Sequence, residues 1–217
     1  MRAFLKDIQN INYDRIVFGG DIFGYYYGAK DVISILRDCH AECILGNHDE
    51  MLLKLLNDNI SKEYLIARYG NSYKSIDEEL NEQEIDFVKK LPRSINIETD
   101  GLNLLFVHGS IDNPTNGRIY PDKEEFDNEL YKAYDYVFMG HTHHKMIKRV
   151  GNCILVNPGS IGQQRDGKGC SYVVSDAVKR SLDFKIVEFD VKWLEDEIDC
   201  NERGEMQEKL KEVLHRV

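Results

Sequence analysis

Apolar residues along this chain recur in two periods, and the changes of period mark its elements. Phe4, Leu5, Ile8 and Ile11 fall on one stripe of a helix. Arg15-Ile16-Val17-Phe18 closes on Gly19-Gly20 and predicts a buried strand. Residues 30–38 return to helical spacing, with Val32, Ile33, Ile35 and Leu36 inward. Residues 42–46 predict a second short strand, and 49–57, rich in Leu and Met, another helix. This alternation predicts a mainly parallel sheet with helices on its faces. Residues 58–92 are polar and lean to helix, and the charged run over 77–84 reads as a solvated helix face.

Strands resume at 94–99 and 102–107, joined by Asp100-Gly101, a hairpin signal. A loop over 110–121 leads to a helix over 122–131, and 134–139 is again a buried strand. Residues 145–150 and 153–156 flank Gly151-Asn152, a second hairpin. Strands over 171–175 and 182–189 and a helix over 205–215 complete the chain, so the later portion reads as mostly antiparallel. No repeat, low-complexity tract or linker interrupts the pattern, and residues 1–217 read as a single domain.

A chain of 217 residues buries roughly 70% of its unfolded surface, enough for one core without staples. With 42% hydrophobic and 30% charged residues it is neither disordered nor fibrous. Mean hydropathy is −0.47, and no uncharged run reaches the ~18 residues of a membrane span, so no membrane partner is expected. Arg2, Lys6 and Asp7 stand where a secretion signal needs its apolar stretch, which points to the cytoplasm. Lys and Arg number 28 against 38 Asp and Glu, a net charge of −10 that argues against nucleic acid as a partner. A small phosphorylated substrate remains compatible, because a cation can reverse the field locally. The five cysteines are odd in number with no CxxC pair, and read as reduced thiols, mostly small core residues.

Four strand ends share one feature: metal-ligand side chains follow at once. They are Gly20-Asp21, Gly46-Asn47-His48-Asp49, His108-Gly109 and Gly140-His141-Thr142-His143. In open α/β sheets ligands bind beyond the carboxyl ends of strands, so Asp21, Asn47, His108, His141 and His143 should converge on one crevice. A carboxylate, an amide and three imidazoles suit Mn, Fe, Co, Zn or Ni better than Mg or Ca. The absence of thiolate argues against a structural zinc site. The glycines let the backbone turn and approach a metal or phosphate closely. His141 and His143 are two apart, so an extended backbone would point both into the crevice and Thr142 away. His144 breaks that alternation and is expected to point elsewhere, and His40 and His215 read as ordinary surface or core groups.

These blocks, in this order, resemble those of the calcineurin-like metallophosphoesterases. Val156-Asn157-Pro158-Gly159-Ser160-Ile161-Gly162 is similar to the Asn-Pro-Gly-Ser segment of their small bacterial and archaeal phosphodiesterase-like branch. The resemblance runs over about residues 16–175. It implies a two-sheet αββα-type sandwich with helices on the outer faces and a metal-activated hydroxide that hydrolyses small phosphodiesters or phosphomonoesters. It also implies one or two divalent transition ions, manganese first, with iron, zinc, cobalt or nickel as alternatives. By position, Asp21 resembles the carboxylate that bridges two metals, Asn47, His108 and His141 the other ligands of the second metal, and His143 a ligand of the first. His48 resembles the catalytic, non-ligand histidine beside the leaving group.

The family opens with a strand ending in Asp-x-His, and no such strand precedes the helix at Arg2–Ile11. The resemblance therefore implies either about 10–20 further residues upstream or a real loss, a slot beside residues 16–19, a first metal held only by Asp21 and His143, and low activity. The segment after Asp21, Ile22-Phe23-Gly24-Tyr25, lacks the Asp-Arg-Gly of phosphoprotein phosphatases. The alternative to an enzyme is a non-catalytic scaffold or binding module with a degenerate metal site, as one member of the family is. Arg118 and Arg165 are candidates for phosphate contact, with surface roles the plainer reading. Tyr25, Tyr26 and Tyr27 read as packing more than as cleft lining, and Trp193 as packing in the core or at the C-terminus.

Overall fold

The computed structural model describes residues 1–74 and 76–215, without the side chains of 77 and 78. Helix α1 (Arg2–Asp7) runs into a 3-10 turn, and both stripe residues Phe4 and Ile8 are buried. The first βαβ unit follows: β1 (Val17–Phe18), α2 (Ala29–Asp38) and β2 (Glu42–Cys43), paired in parallel. Both strands are shorter than their apolar runs, because Gly19-Gly20 and Leu45-Gly46 already turn toward the crevice. Four helices come next: α3 (Asn47–Leu56), α4 (Lys62–Tyr69), α5 (Ile76–Glu79) and α6 (Glu82–Lys89). Part of the charged run over 77–84 lies outside the described side chains. Within it Glu84 is buried rather than solvated, because it closes a capping box with Asn81 at the start of α6.

Five further strands form one sheet in the order β3-β4-β5-β7-β6. They are β3 (Ser94–Thr99), β4 (Leu102–Val107), β5 (Tyr136–Phe138), β6 (Met146–Val150) and β7 (Cys153–Asn157). β4, β5 and β7 pair in parallel, and the two hairpins add β3 and β6 as antiparallel edges. Asp100 and Gly101 both take positive φ, 50° and 74°, as a two-residue hairpin turn demands. Between β4 and β5 the structure is mostly loop. The helix expected over 122–131 is confined to α7 (Asn128–Tyr131), started by the Asp127 side chain on the Glu129 amide.

The last strands, β8 (Ser171–Asp176) and β9 (Ser181–Ile186), make a separate antiparallel pair. Two helices end the described chain, α8 (Lys192–Asn201), which periodicity missed, and α9 (Gly204–Leu214). α8 turns inward only Leu194 and Ile198, too short an apolar stripe to read in an acidic segment. Trp193 is 57% exposed, so it packs no core: it lies on the outer side of α8.

Burial fixes the layers. Leu104, Tyr136, Phe138 and Val156 of the five-stranded sheet meet Val17 of β1 and Val173 and Phe184 of the β8-β9 pair. The opposite face of the same strands, Leu105, Val107, Val137 and Leu155, packs on Ile119 and Tyr131. Strands buried on both faces read as continuous apolar runs, as these do. Phe4 of α1 and Ile8 of the 3-10 turn cover Tyr172 and Val187 together with Ile16. β1 and β8 thus share packing neighbours on two faces, yet each hydrogen-bonds along one edge only among the described residues. The result is the two-layer mixed α/β sandwich expected, with one outer face covered more by loop than by helix. The one Asp-x-His of the sequence, Asp38-Cys39-His40, closes α2 at the surface, with Asp38 and His40 exposed. Among the described residues no helix is long and apolar enough to cross a membrane.

Candidate metal centre

Two loops meet backbone to backbone at the ends of β1 and β2. A Cβ on Gly20, which sits at φ 90°, would lie 2.6 Å from the Gly46 nitrogen. A Cβ on Gly46 would lie 2.1 Å from Asp21 Oδ1. Only glycine fits at either place. The fully buried Asp49 carboxylate ties the two turns together. Its Oδ2 accepts from the Asp21 and Gly46 amides at 2.9 and 2.8 Å, and its Oδ1 from the Ile22 amide at 2.8 Å. Burial and the neighbouring Asp21 charge push the Asp49 carboxyl up to about 6, against the pull of those donors. Asp21 in turn accepts from the His48 amide at 3.0 Å, in the first turn of α3, where a helix end favours negative charge.

His108 follows β4 and is buried against this junction. Its Nδ1–H donates to the Gly19 carbonyl at 2.7 Å, an assignment made from the acceptor it faces. Its Nε2 is therefore turned to Asn47 Oδ1 at 3.1 Å and Asp21 Oδ2 at 3.3 Å. Three lone-pair atoms converge there, which requires a proton or a cation between them. Burial opposes a charged His108, but Asp21 raises its pKa. Burial likewise opposes an ionised Asp21, yet the charge and hydrogen bond of His108 hold its carboxyl well below the usual range. Among the described residues no three His, Cys, Asp or Glu side chains stand together as a ready cage; here the third donor is an amide oxygen. A carboxylate, an amide and an imidazole set around one point fit a divalent transition ion.

His141 stacks on His108 with ring centroids 5.1 Å apart, which brings a second imidazole to the same point. The backbone there is not extended. His141 and His143 take φ of 60° and 59°, so both reach the crevice side through two left-handed residues rather than through strand alternation. Asn157 clamps the turn: its Nδ2 donates to the Gly140 carbonyl at 2.8 Å and to Thr142 Oγ1 at 3.0 Å. His143 donates Nδ1–H to the Gln163 carbonyl at 2.6 Å, which leaves Nε2 as a lone pair. Burial first, then nearby cations, depress His143 to about 3; burial and the His108 charge depress His141 to about 4. Both imidazoles are neutral at physiological pH, the form that coordinates. Arg118 Nε donates to His141 Nε2 at 3.1 Å, while Nδ1 is buried without a partner among the described residues. A neutral imidazole has one lone pair and Arg118 occupies it, so a cation at His141 would displace the arginine. His144 bonds the Thr142 carbonyl and packs on Tyr120, outside this cluster, as expected.

His48 borders the cluster on the other side. Its Nδ1 lies 3.2 Å from the buried Tyr73 hydroxyl, and its ring contacts Tyr69 and Tyr25 at 4.7 and 5.4 Å. Burial lowers its pKa. The same Tyr73 hydroxyl also donates to the His48 carbonyl at 3.4 Å, so Tyr73 holds the ring and its backbone together. Tyr25 therefore lines the site, whereas Tyr26 and Tyr27 pack as expected: their hydroxyls bond the Leu210 carbonyl and Glu202 at the C-terminal helices. Arg165 stands 5.7 Å above the Tyr25 ring, so both flagged arginines border the crevice. Sequence reasoning missed Tyr73, Tyr69, Asn157 and Lys209. Of these only Asn157 carried a local signal, its place in Asn-Pro-Gly-Ser.

Comparison with known proteins places the fold. The chain is 28% identical over 214 residues to the uncharacterized protein MJ0912 of Methanocaldococcus jannaschii, covering 88% of this chain and 83% of that protein. Its structure is similar to hypothetical protein PH1004 from Pyrococcus horikoshii, with a TM-score of 0.75 and 20% identity over 99% of this chain and 90% of that one. It is also similar to a metallophosphoesterase from Sphaerobacter thermophilus, at 0.73 and 21% over 97% and 91%. The family model of the calcineurin-like phosphoesterase superfamily domain matches residues 1–180, and the chain belongs to that superfamily.

Proposed function

We propose that this protein is a metal-dependent phosphoesterase acting on small phosphodiesters or phosphomonoesters, with Asp21, Asn47, His108 and His141 as metal ligands. One observation carries the reading: His108 Nε2, Asn47 Oδ1 and Asp21 Oδ2 turn their lone pairs to a single buried point. His143, neutral and with Nε2 free, is the candidate ligand of a further ion. Manganese is the first choice, with iron, zinc, cobalt or nickel suited to the same donors. A divalent cation held there supplies Lewis acidity toward phosphoryl oxygens and lowers the pKa of water.

The chain's own residues do the rest. Asp21 neutralises positive charge and fixes the first turn of α3. His48, held in place by Tyr73, acts in its imidazolium form: it gives the Nε2 proton to the departing oxygen and returns to the neutral ring, the form that its burial favours. Arg118, once released from His141, offers its guanidinium to an anionic phosphoryl group. A surrounding chain with a net charge of −10 disfavours long polyanions and leaves small esters as the substrate class.

Elemental analysis of protein purified without chelator, with hydrolysis of bis(p-nitrophenyl) phosphate in added Mn²⁺, tests the proposal. The expected result is bound transition metal and turnover that a chelator removes and Mn²⁺ restores. Both should be lost in His108→Ala/His141→Ala. Equal metal content in wild type and that variant would sink the ligand assignment.

A further inference from the structure

The rim beside His48 carries positive charge that the chain's composition does not lead one to expect. Arg165, Arg68 and Lys209 come from three distant stretches of a chain with ten more acids than bases. Each hydrogen-bonds a neutral group: Gln163 Oε1, the Tyr69 hydroxyl and the Arg68 carbonyl. None has a carboxylate partner among the described residues, where most other lysines and arginines with a close partner sit in ion pairs. Arg165 and Lys209 share one aromatic ring, at 5.7 and 5.8 Å from the centroid of Tyr25. That ring is 5.4 Å from His48.

The placement is fixed from behind. Lys209 lies on α9, and the next residue, Leu210, is fully buried with its carbonyl accepting from the Tyr26 hydroxyl at 3.2 Å. Glu202, also buried, accepts from the Tyr27 hydroxyl at 2.7 Å and the Asn71 amide at 2.6 Å. The C-terminal helices are thus stapled to the loop that carries Tyr25. Unpaired cations held at fixed positions beside an aromatic ring make a receptor for an anion.

We propose that Tyr25, Arg165 and Lys209 form a leaving-group subsite that selects phosphoesters whose departing alcohol or phenol bears a further negative charge. This rests on the reading of His48 as the group that protonates the departing oxygen. His48 holds the reacting end of that group, and the two cations beside the Tyr25 ring hold its distal phosphate or carboxylate. An uncharged leaving group gains nothing from them.

The test compares methyl 4-nitrophenyl phosphate with its ring-carboxylated counterpart in Mn²⁺. A parallel arm follows binding of phenol and 3-hydroxybenzoate by ligand-observed NMR in chelator. Wild type should prefer the carboxylated substrate in kcat/KM by about tenfold, the scale of a charge-assisted contact, and should bind 3-hydroxybenzoate over phenol. Lys209→Met and Arg165→Met should each cut the kcat/KM preference about threefold to tenfold, and Lys209→Arg should retain it. Lys209 is exposed, so its variants fold. A wild-type enzyme indifferent to the carboxylate, or a preference that survives both Met variants, overturns the subsite. Selective binding of 3-hydroxybenzoate without hydrolysis of either ester would keep the subsite and refute the phosphoesterase reading instead.

Discussion

Asp21, His141 and His143 all sit at φ near +60°, a region that costs a non-glycine residue about 1–3 kcal/mol. Three such residues around one crevice mark where the fold gives up local comfort for side-chain placement. His48 needs no strained backbone, because α3 presents it and the Tyr73 hydroxyl holds its ring. That arrangement makes a residue-level prediction. A general acid contributes about 10²–10⁴-fold, so His48→Ala should lower kcat by that order on an ester with a poor leaving group and far less on a p-nitrophenyl ester. Metal content should not change, since the proposed ligand set does not include His48. Tyr73→Phe, which frees the His48 ring to turn, should lower kcat on the same poor-leaving-group ester by less than His48→Ala, while leaving bound metal intact. An equal loss of kcat on both leaving groups would show that His48 does not act as the acid.

At the scale of elements, the crevice depends on two loops passing closer than a methyl group allows. Gly46→Ala would put a carbon 2.1 Å from Asp21 Oδ1, so either the Asp21 turn or the start of α3 must move. The expected cost is more than about 3 kcal/mol in a thermal or urea melt, together with loss of bound metal. Gly162→Ala is the control, because nothing lies within 4 Å of its added Cβ. A Gly46→Ala protein as stable and as metal-loaded as Gly162→Ala would contradict the packing argument. The same elements show what was legible beforehand. β3 and β4 were readable to the residue, because Asp100-Gly101 separates an alternating edge strand from a nearly continuous apolar one. Asp21, Asn47, His108 and His141 were readable because each directly follows a strand end or its glycine. The helix over 122–131 shrank to four residues, since 122–127 offers too little apolar surface to bury. Tyr25 and Lys209 could not be paired from sequence at all: no local rule links a loop after β1 to the final helix.

For the whole molecule, the histidines set how the metal-free fold responds to acid. His141 and His143 are depressed to about 4 and about 3 by burial and nearby positive charge. In an unfolded chain both would titrate near 6.5. Between those values the unfolded chain binds protons that the folded chain does not, so stability falls as pH drops from about 6.5 toward about 4. The two together are worth on the order of several kcal/mol, and the lowered His48 adds in the same direction. His108 has the opposite sign. Its raised pKa contributes stability that is complete below about 6.5 and is lost as pH climbs through its folded value, so it does not offset the acid loss in this window. Asp49, raised to about 6, works against this loss: between about pH 6 and pH 3.9 the folded chain protonates it before the unfolded chain does, but its single shift is outweighed by those of the two imidazoles. The depressed Asp21 carboxyl matters only lower still, since its contribution persists above about pH 3.9. Thermal melts in chelator at constant ionic strength should therefore show Tm falling steadily from pH 7 to pH 4.5. In His141→Gln/His143→Gln the slope should flatten, because those side chains cannot take up protons in either state. Parallel curves for wild type and the double variant would mean that the two imidazoles are not held neutral by the fold, and with it would go the argument that they stand ready to coordinate.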